Sequence, residues 1–185
     1  MASPYRQLRS LLLSSVLMLS GVAHGCSASD LSWQTLKQQI RAEFPSVEHI
    51  SVQEFETYLP AIESQDSDSA KVLLVDVRAP EEFAVSHLHH AVNLEDANAI
   101  LDLAQQRQVE QIILYCSVGY RSAKMAQTLE QQGWDAVVNL EGSLFEWANS
   151  GRPVFRGDEE VEVVHPFDQF WGQLLKSNYH PHTSE

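Results

Sequence analysis

Cys116 closes the apolar run Gln111-Ile-Ile-Leu-Tyr115 and opens the segment Cys116-Ser117-Val118-Gly119-Tyr120-Arg121-Ser122, directly ahead of a helical pattern. That order places a thiol in a loop between a strand and a helix. A helix N-terminus presents unpaired amides and a partial positive charge, so a thiol held there is expected to titrate below its free value of about 8.5. The thiolate is the nucleophile, which makes Cys116 the candidate catalytic residue. Gly119 lets the backbone turn through positive φ and leaves room for an incoming reactant. Arg121 adds a cation that either lowers the thiol's pKa or holds an anionic donor. Four residues separate it from Cys116. The candidate substrate-binding residues are therefore Ser117, Val118, Gly119, Tyr120, Arg121 and Ser122, with Ser122 the expected N-cap of the following helix. The ordinary alternatives are an inert buried cysteine and, for Arg121, a structural ion pair with Asp76 or Glu141.

Positioning that loop requires alternating strands and helices. Val72 to Val77 and Ile112 to Tyr115 are apolar runs of the kind buried on both faces of a parallel sheet, and Val92 to Leu94 and Ala136 to Leu140 are further short strands. Between them, helices are expected from Pro80, over Ala97 to Gln106, over Ser122 to Gln132 closed by Gly133, and over Ser143 to Asn149. The fold class is thus α/β, a parallel sheet with helices on both faces, whose ligands sit beyond the carboxyl ends of the strands. Ahead of this core, Ser32 to Phe44 reads as a helix capped by Ser32 and ended by Pro45. A strand at His49 to Ser51 and a helix over Val52 to Leu59 follow. Pro60 then stops the chain before the exposed polar stretch Glu63 to Ser69. Beyond the core, Asp168 is expected to cap an amphipathic helix whose stripe is Phe167, Phe170, Trp171, Leu174 and Leu175. That stripe packs on the domain or docks a partner protein.

The first residues are a different kind of segment. Arg6 and Arg9 precede the apolar stretch Leu11 to Leu19, followed by small residues up to Gly25. This is the layout of a secretory signal peptide, too short in its apolar core for the roughly 20 residues of a membrane span. Cleavage is expected near Gly25, and Cys26 directly after it offers a lipid-attachment alternative. The expected organisation is a signal peptide over 1–25, a helical extension over 26–47, the α/β domain over 48–155 and a C-terminal extension over 156–185. The formal charge of −13 becomes −15 without residues 1–25, which argues against nucleic acid as a partner. With only Cys26 and Cys116 in an exported chain, a structural disulfide is not expected, and a solitary thiol in an oxidising compartment needs a chemical reason.

Two segments together resemble the rhodanese (sulfurtransferase) family: Leu73-Leu-Val-Asp-Val-Arg78-Ala-Pro-Glu-Glu-Phe83 with Ser86-His87-Leu88 and Ala91-Val92-Asn93, and Tyr115-Cys-Ser-Val-Gly-Tyr-Arg-Ser-Ala123. Gly142, Trp147 and Gly151-Arg152-Pro153-Val154 are similar to the way that domain ends, so the resemblance spans 48 to 155. It implies sulfane sulfur carried as a Cys116 persulfide from a thiosulfate- or polysulfide-type donor to a thiol or cyanide acceptor, with no cofactor. It also implies a structural role for Asp76, Arg78 and Gly142 around the site. Ser143 departs from the Gly-Gly pair common in the family, and His89 and His90 replace its usual Pro-Gly turn. His87, His89 and His90 lack a nearby cysteine or a suitably spaced carboxylate, so no metal site is expected. Two other functions compete. A phosphatase or arsenate reductase on this fold carries one residue more between cysteine and arginine. A non-enzymatic binding or redox-sensing module could keep the same loop.

Overall fold

The strands of the central sheet are short and almost entirely apolar: β1 Glu48–Ile50, β2 Val72–Asp76, β3 Val92–Asn93, β4 Gln111–Tyr115 and β5 Val137–Leu140. They lie in the order β1-β5-β4-β2-β3, and every neighbouring pair is parallel. The structure, a computed structural model, describes residues 32–63 and 71–181. The expected signal segment 1–25, Cys26 and the polar stretch after Glu63 lie outside the described residues. Buried side chains run without interruption from Ile112 to Tyr115 in the central strand and from Leu73 to Asp76 beside it. Such runs cover both faces of a sheet, and they require helices on either side. Those helices are α1 Trp33–Glu43, α2 Val52–Phe55, α3 Leu59–Glu63, α4 Pro80–Val85, α5 Ala97–Gln106, α6 Tyr120–Gln131 and α7 Ser143–Asn149. The α/β architecture expected from the sequence is the one observed. Among the described residues, no helix is long and apolar enough to cross a membrane.

Local chemistry explains the element boundaries and three departures from the sequence reading. Ser32 caps α1 by accepting the Thr35 amide at 3.2 Å, and Leu36 and Ile40 turn the buried face inward. The helix expected from Val52 to Leu59 breaks instead into α2, a 3-10 turn over Glu56–Tyr58, and α3. Pro60 stands near the start of α3 rather than after a helix, since a proline in the first turn lacks only an amide that has no partner there. The helix α6 begins at Tyr120, ahead of the expected Ser122, because Gly119 takes the cap position with φ +100°. Ser122 is therefore inside the first turn and is not the N-cap.

The third departure is the C-terminal extension. An antiparallel hairpin, β6 Val154–Arg156 and β7 Glu159–Val161, was not read from the sequence. Its Phe155 exchanges two backbone hydrogen bonds of 2.8 Å with His87, which ties the extension to the segment after α4. Asp168 does cap, accepting the Phe170 and Trp171 amides at 2.8 Å each. The expected amphipathic helix, however, is a 3-10 turn over Trp171–Leu174. Asn149 supplies the reason, since its side chain donates to the Leu174 carbonyl at 2.6 Å and accepts the Lys176 amide at 2.8 Å. These bonds draw the backbone out of a helical path. Trp171, Leu174 and Leu175 are nonetheless buried, as the packed alternative requires.

Candidate active site

Three chain segments meet beyond the carboxyl ends of β2, β4 and β5, and Cys116 occupies the middle one. The residue is 1% exposed, and its Sγ accepts the Gly119 amide at 3.1 Å. The sharp return of the loop depends on Gly119, where a Cβ would stand 3.3 Å from the Gly142 nitrogen and 3.4 Å from the Leu140 carbonyl oxygen. Burial alone would push the Cys116 thiol up. The Arg121 charge, the Ser122 hydroxyl and amide and the Gly119 amide outweigh it, and the thiol titrates below its ordinary value. The Ser122 hydroxyl is buried with no partner of full hydrogen-bond geometry, which leaves the sulfur as the group it serves.

The segment after β5 holds the cysteine's backbone. The Cys116 amide donates to Ser143 Oγ at 3.1 Å, and that hydroxyl donates to the Leu140 carbonyl at 2.8 Å. The Leu144 amide donates to the Cys116 carbonyl at 3.1 Å, and the Phe145 amide to the Ser117 carbonyl at 3.0 Å. Ser143 thus keeps a left-handed backbone, φ +50°, where the family's usual glycine would have it, and uses its hydroxyl as a bracket. Gly142 at φ +74° has no room for a side chain, since a Cβ would fall 2.7 Å from Glu146 Cβ. Trp147 is buried with its indole donating to the Pro153 carbonyl at 2.7 Å, a core position.

Arg121 has a partner that the sequence did not suggest. Its Nη1 and Nη2 donate to Glu82 Oε2 and Oε1 at 2.7 and 2.8 Å, and Nη2 also donates to Ser117 Oγ at 3.0 Å. The Ser117 hydroxyl donates onward to Glu82 at 3.2 Å. Burial pushes the Glu82 carboxyl up, yet the Arg121 fork more than offsets it and the group titrates below the usual range. The partners expected for Arg121 are engaged elsewhere. Asp76 pairs with Arg78 at 2.7 Å, and Glu141 takes a two-pronged contact from Arg41 at 2.7 and 2.8 Å. On the other side, the Phe167 ring of the C-terminal extension lies 4.7 Å from the Arg121 guanidinium carbon. Neither contact follows from local pattern: an acid in the first turn of a helix and an aromatic in an apolar stripe are each explained without Arg121.

Of the other expected residues, Ser117, Val118 and Gly119 are buried in the loop beside the sulfur. Tyr120 is not turned the same way: its hydroxyl donates to Glu43 at 2.6 Å and its ring meets Phe44 edge-on. Asp76 and Arg78 are fully buried, and their hydrogen bonds go to each other, to the Ser86 carbonyl and, through their own carbonyls, to Asn93. These bonds brace the first segment. His87 stacks on Phe83 and contacts its carbonyl, while the His89 ring lies between those of Phe155 and His90, 4.3 and 3.8 Å away, so His87 faces neighbours different from those of the other two. Among the described residues, no group of three or more His, Cys, Asp or Glu is arranged to hold a metal ion.

Residues 61–150 match the protein family described as the rhodanese-like domain. Over 88 residues, 48% of this chain, it is 33% identical to a protein of Allochromatium vinosum named sulfurtransferase, of which it covers 82%. A second relative, an uncharacterized protein of Synechocystis, is 31% identical over 100 residues, which is 54% of this chain and 56% of that protein. Among solved structures, the thiosulfate sulfurtransferase from Pseudomonas aeruginosa superposes with a TM-score of 0.53 over 68% of this chain and 23% of its own length. At 19% identity that likeness concerns the fold.

Proposed function

The chain belongs to the rhodanese-like family, and from that premise we propose that it is a sulfurtransferase carrying sulfane sulfur on Cys116. The observation that supports this most directly is the state of that thiol: buried, bracketed by amides and biased toward thiolate by Arg121. The thiolate attacks the outer sulfur of a thiosulfate- or polysulfide-type donor. The donor's S–S bond breaks, its electron pair leaves with sulfite or a shorter sulfur anion, and Cys116 becomes a persulfide. A thiol or cyanide acceptor then attacks the same sulfur and the thiolate returns. Sulfur moves without net oxidation. The Gly119 and Ser122 amides that stabilise the thiolate are placed to receive the persulfide anion in its turn.

The test is loading. Incubation with thiosulfate or a polysulfide is expected to add about 32 Da to the protein, and the adduct should vanish in Cys116→Ser and be discharged by cyanide as thiocyanate. Absence of any sulfur adduct would falsify this function. We also place the protein outside the cytosol, by its segment 1–25, either free after cleavage near Gly25 or lipid-anchored through Cys26. Fractionation of cells producing the full chain with a C-terminal tag checks this: a processed form in the envelope is expected, and an uncleaved cytosolic form contradicts it.

A further inference from the structure

The charges around the sulfur narrow the donor. Thiosulfate is a dianion, and bringing it into a buried site requires cations to replace its hydration. The fork of Arg121 that would receive such an anion is already taken by Glu82 at 2.7 and 2.8 Å, with Ser117 as a third contact. Arg78, at the end of β2, is wholly buried against Asp76. Both arginines of the segments converging on Cys116 therefore face a buried carboxylate, in a chain of net charge −13. The face of Arg121 is covered as well, by Phe167 at 4.7 Å. Phe167 lies beyond the residues that match the family, 61–150, and its backbone is left-handed at φ +64°, a costly conformation for a bulky side chain. Its amide donates to His165 Nδ1 at 3.0 Å, and the Asp168 cap fixes the residues that follow. The ring is held over the guanidinium in spite of the strain.

We propose that Glu82 and Phe167 are specificity-determining residues that neutralise and cover Arg121, so that the site takes sulfur from singly charged or uncharged persulfides and discriminates against the dianion thiosulfate. The inference rests on Cys116 being the sulfur carrier. The step is then Cys116–S⁻ plus R–S–SH giving Cys116–S–SH plus R–S⁻: the thiolate bonds to the outer sulfur, and the donor's S–S electron pair leaves on the inner one. An acceptor thiolate repeats the exchange and frees Cys116. Arg121 acts through its field on the sulfur and does not clasp the donor.

Single-turnover loading of Cys116, followed by peptide mass so that Cys26 is counted separately, tests this with cysteine persulfide and with thiosulfate. The wild-type protein should load faster from the persulfide. Glu82→Gln leaves a hydrogen-bonding side chain but frees the charge, and should raise the rate from thiosulfate relative to that from persulfide about tenfold, on top of any change common to both donors. Added salt should erase most of that gain. Phe167→Ala, which keeps the Glu82 pair, should raise the thiosulfate rate about threefold. A wild-type rate from thiosulfate equal to or above that from persulfide overturns the proposal. So does an equal change for both donors in both variants, the outcome of a merely structural role. Failure of both donors to add sulfur, with iodoacetamide still alkylating Cys116, would instead remove the sulfur-carrier function and this inference with it.

Discussion

Two arginine–carboxylate pairs stand at neighbouring strand ends, and they differ in almost everything except chemistry. Arg78 and Asp76 are two residues apart, fully buried, and bonded through Nε and Nη2 to both carboxylate oxygens. Arg121 and Glu82 are 39 residues apart, with the Arg121 side chain 14% exposed. The first pair satisfies groups of its own segment, including the Ser86 carbonyl. The second joins the cysteine loop to α4 and sets the field at the sulfur. A buried pair close in sequence braces one turn, whereas a pair across the fold can tie stability to reactivity.

The comparison breaks most visibly at Arg78. Arg78→Met leaves the buried Asp76 side chain without its partner, a loss of about 3–5 kcal/mol in unfolding free energy. Chemical denaturation should show it, while the pH midpoint of Cys116 alkylation in the folded protein should stay in place. A matching shift of that midpoint would mean that the two pairs act as one.

Arg121→Gln should cost less, about 1–3 kcal/mol, but should move the chemistry. Without the cation the Cys116 thiol rises, so alkylation by iodoacetamide should need a higher pH, and loading near neutrality should slow. The pH dependence of stability changes sign with it. In the wild-type protein Glu82 titrates below its unfolded value, so its contribution is fully present above that value, about 4.3, and is lost as pH falls through the folded one. In the variant, burial without Arg121 lifts the folded value above the unfolded one, so ionising Glu82 opposes folding and acid relieves the penalty. Unfolding free energies from pH 2 to 7 for both proteins measure the difference.

These pairs also show what the sequence could and could not reveal. The strand ends and the Cys116 loop follow from local patterns, apolar runs and a glycine three residues after the cysteine, whereas the structural role of Asp76 and Arg78 is implied by the family resemblance alone. Glu82 was in plain view but unassigned, because the first turn of a helix already explains an acid there and nothing local says that it will be buried against residue 121. Phe167 was hidden for a different reason. Its position depends on Asn149 and His165 diverting a segment whose periodicity reads as a helix.

Ser143 gives a smaller effect that separates strain from bonding. Ser143→Ala keeps the left-handed backbone and orphans the buried Cys116 amide, for about 1–3 kcal/mol. Ser143→Gly loses the same bonds but relieves about 1 kcal/mol of backbone cost. The glycine variant should therefore be the more stable of the two in denaturant. The reverse order would mean that the left-handed backbone at this position carries no cost that glycine relieves.

The smallest change tests which side of the loop faces the substrate. Tyr120 neighbours Arg121 in sequence, yet its hydroxyl bonds to Glu43 at 2.6 Å and its ring meets Phe44 at 5.3 Å, both in or beside α1. Tyr120→Phe keeps the ring contact and removes an exposed hydrogen bond, so unfolding free energy should fall by no more than about 0.5 kcal/mol. The alkylation midpoint and the loading rate from either donor should not move, because the hydroxyl contributes neither charge nor a bond at the sulfur. A severalfold change in the donor concentration needed for half-maximal loading, at unchanged stability, would put Tyr120 back among the substrate contacts and would make α1, through Glu43, part of the site.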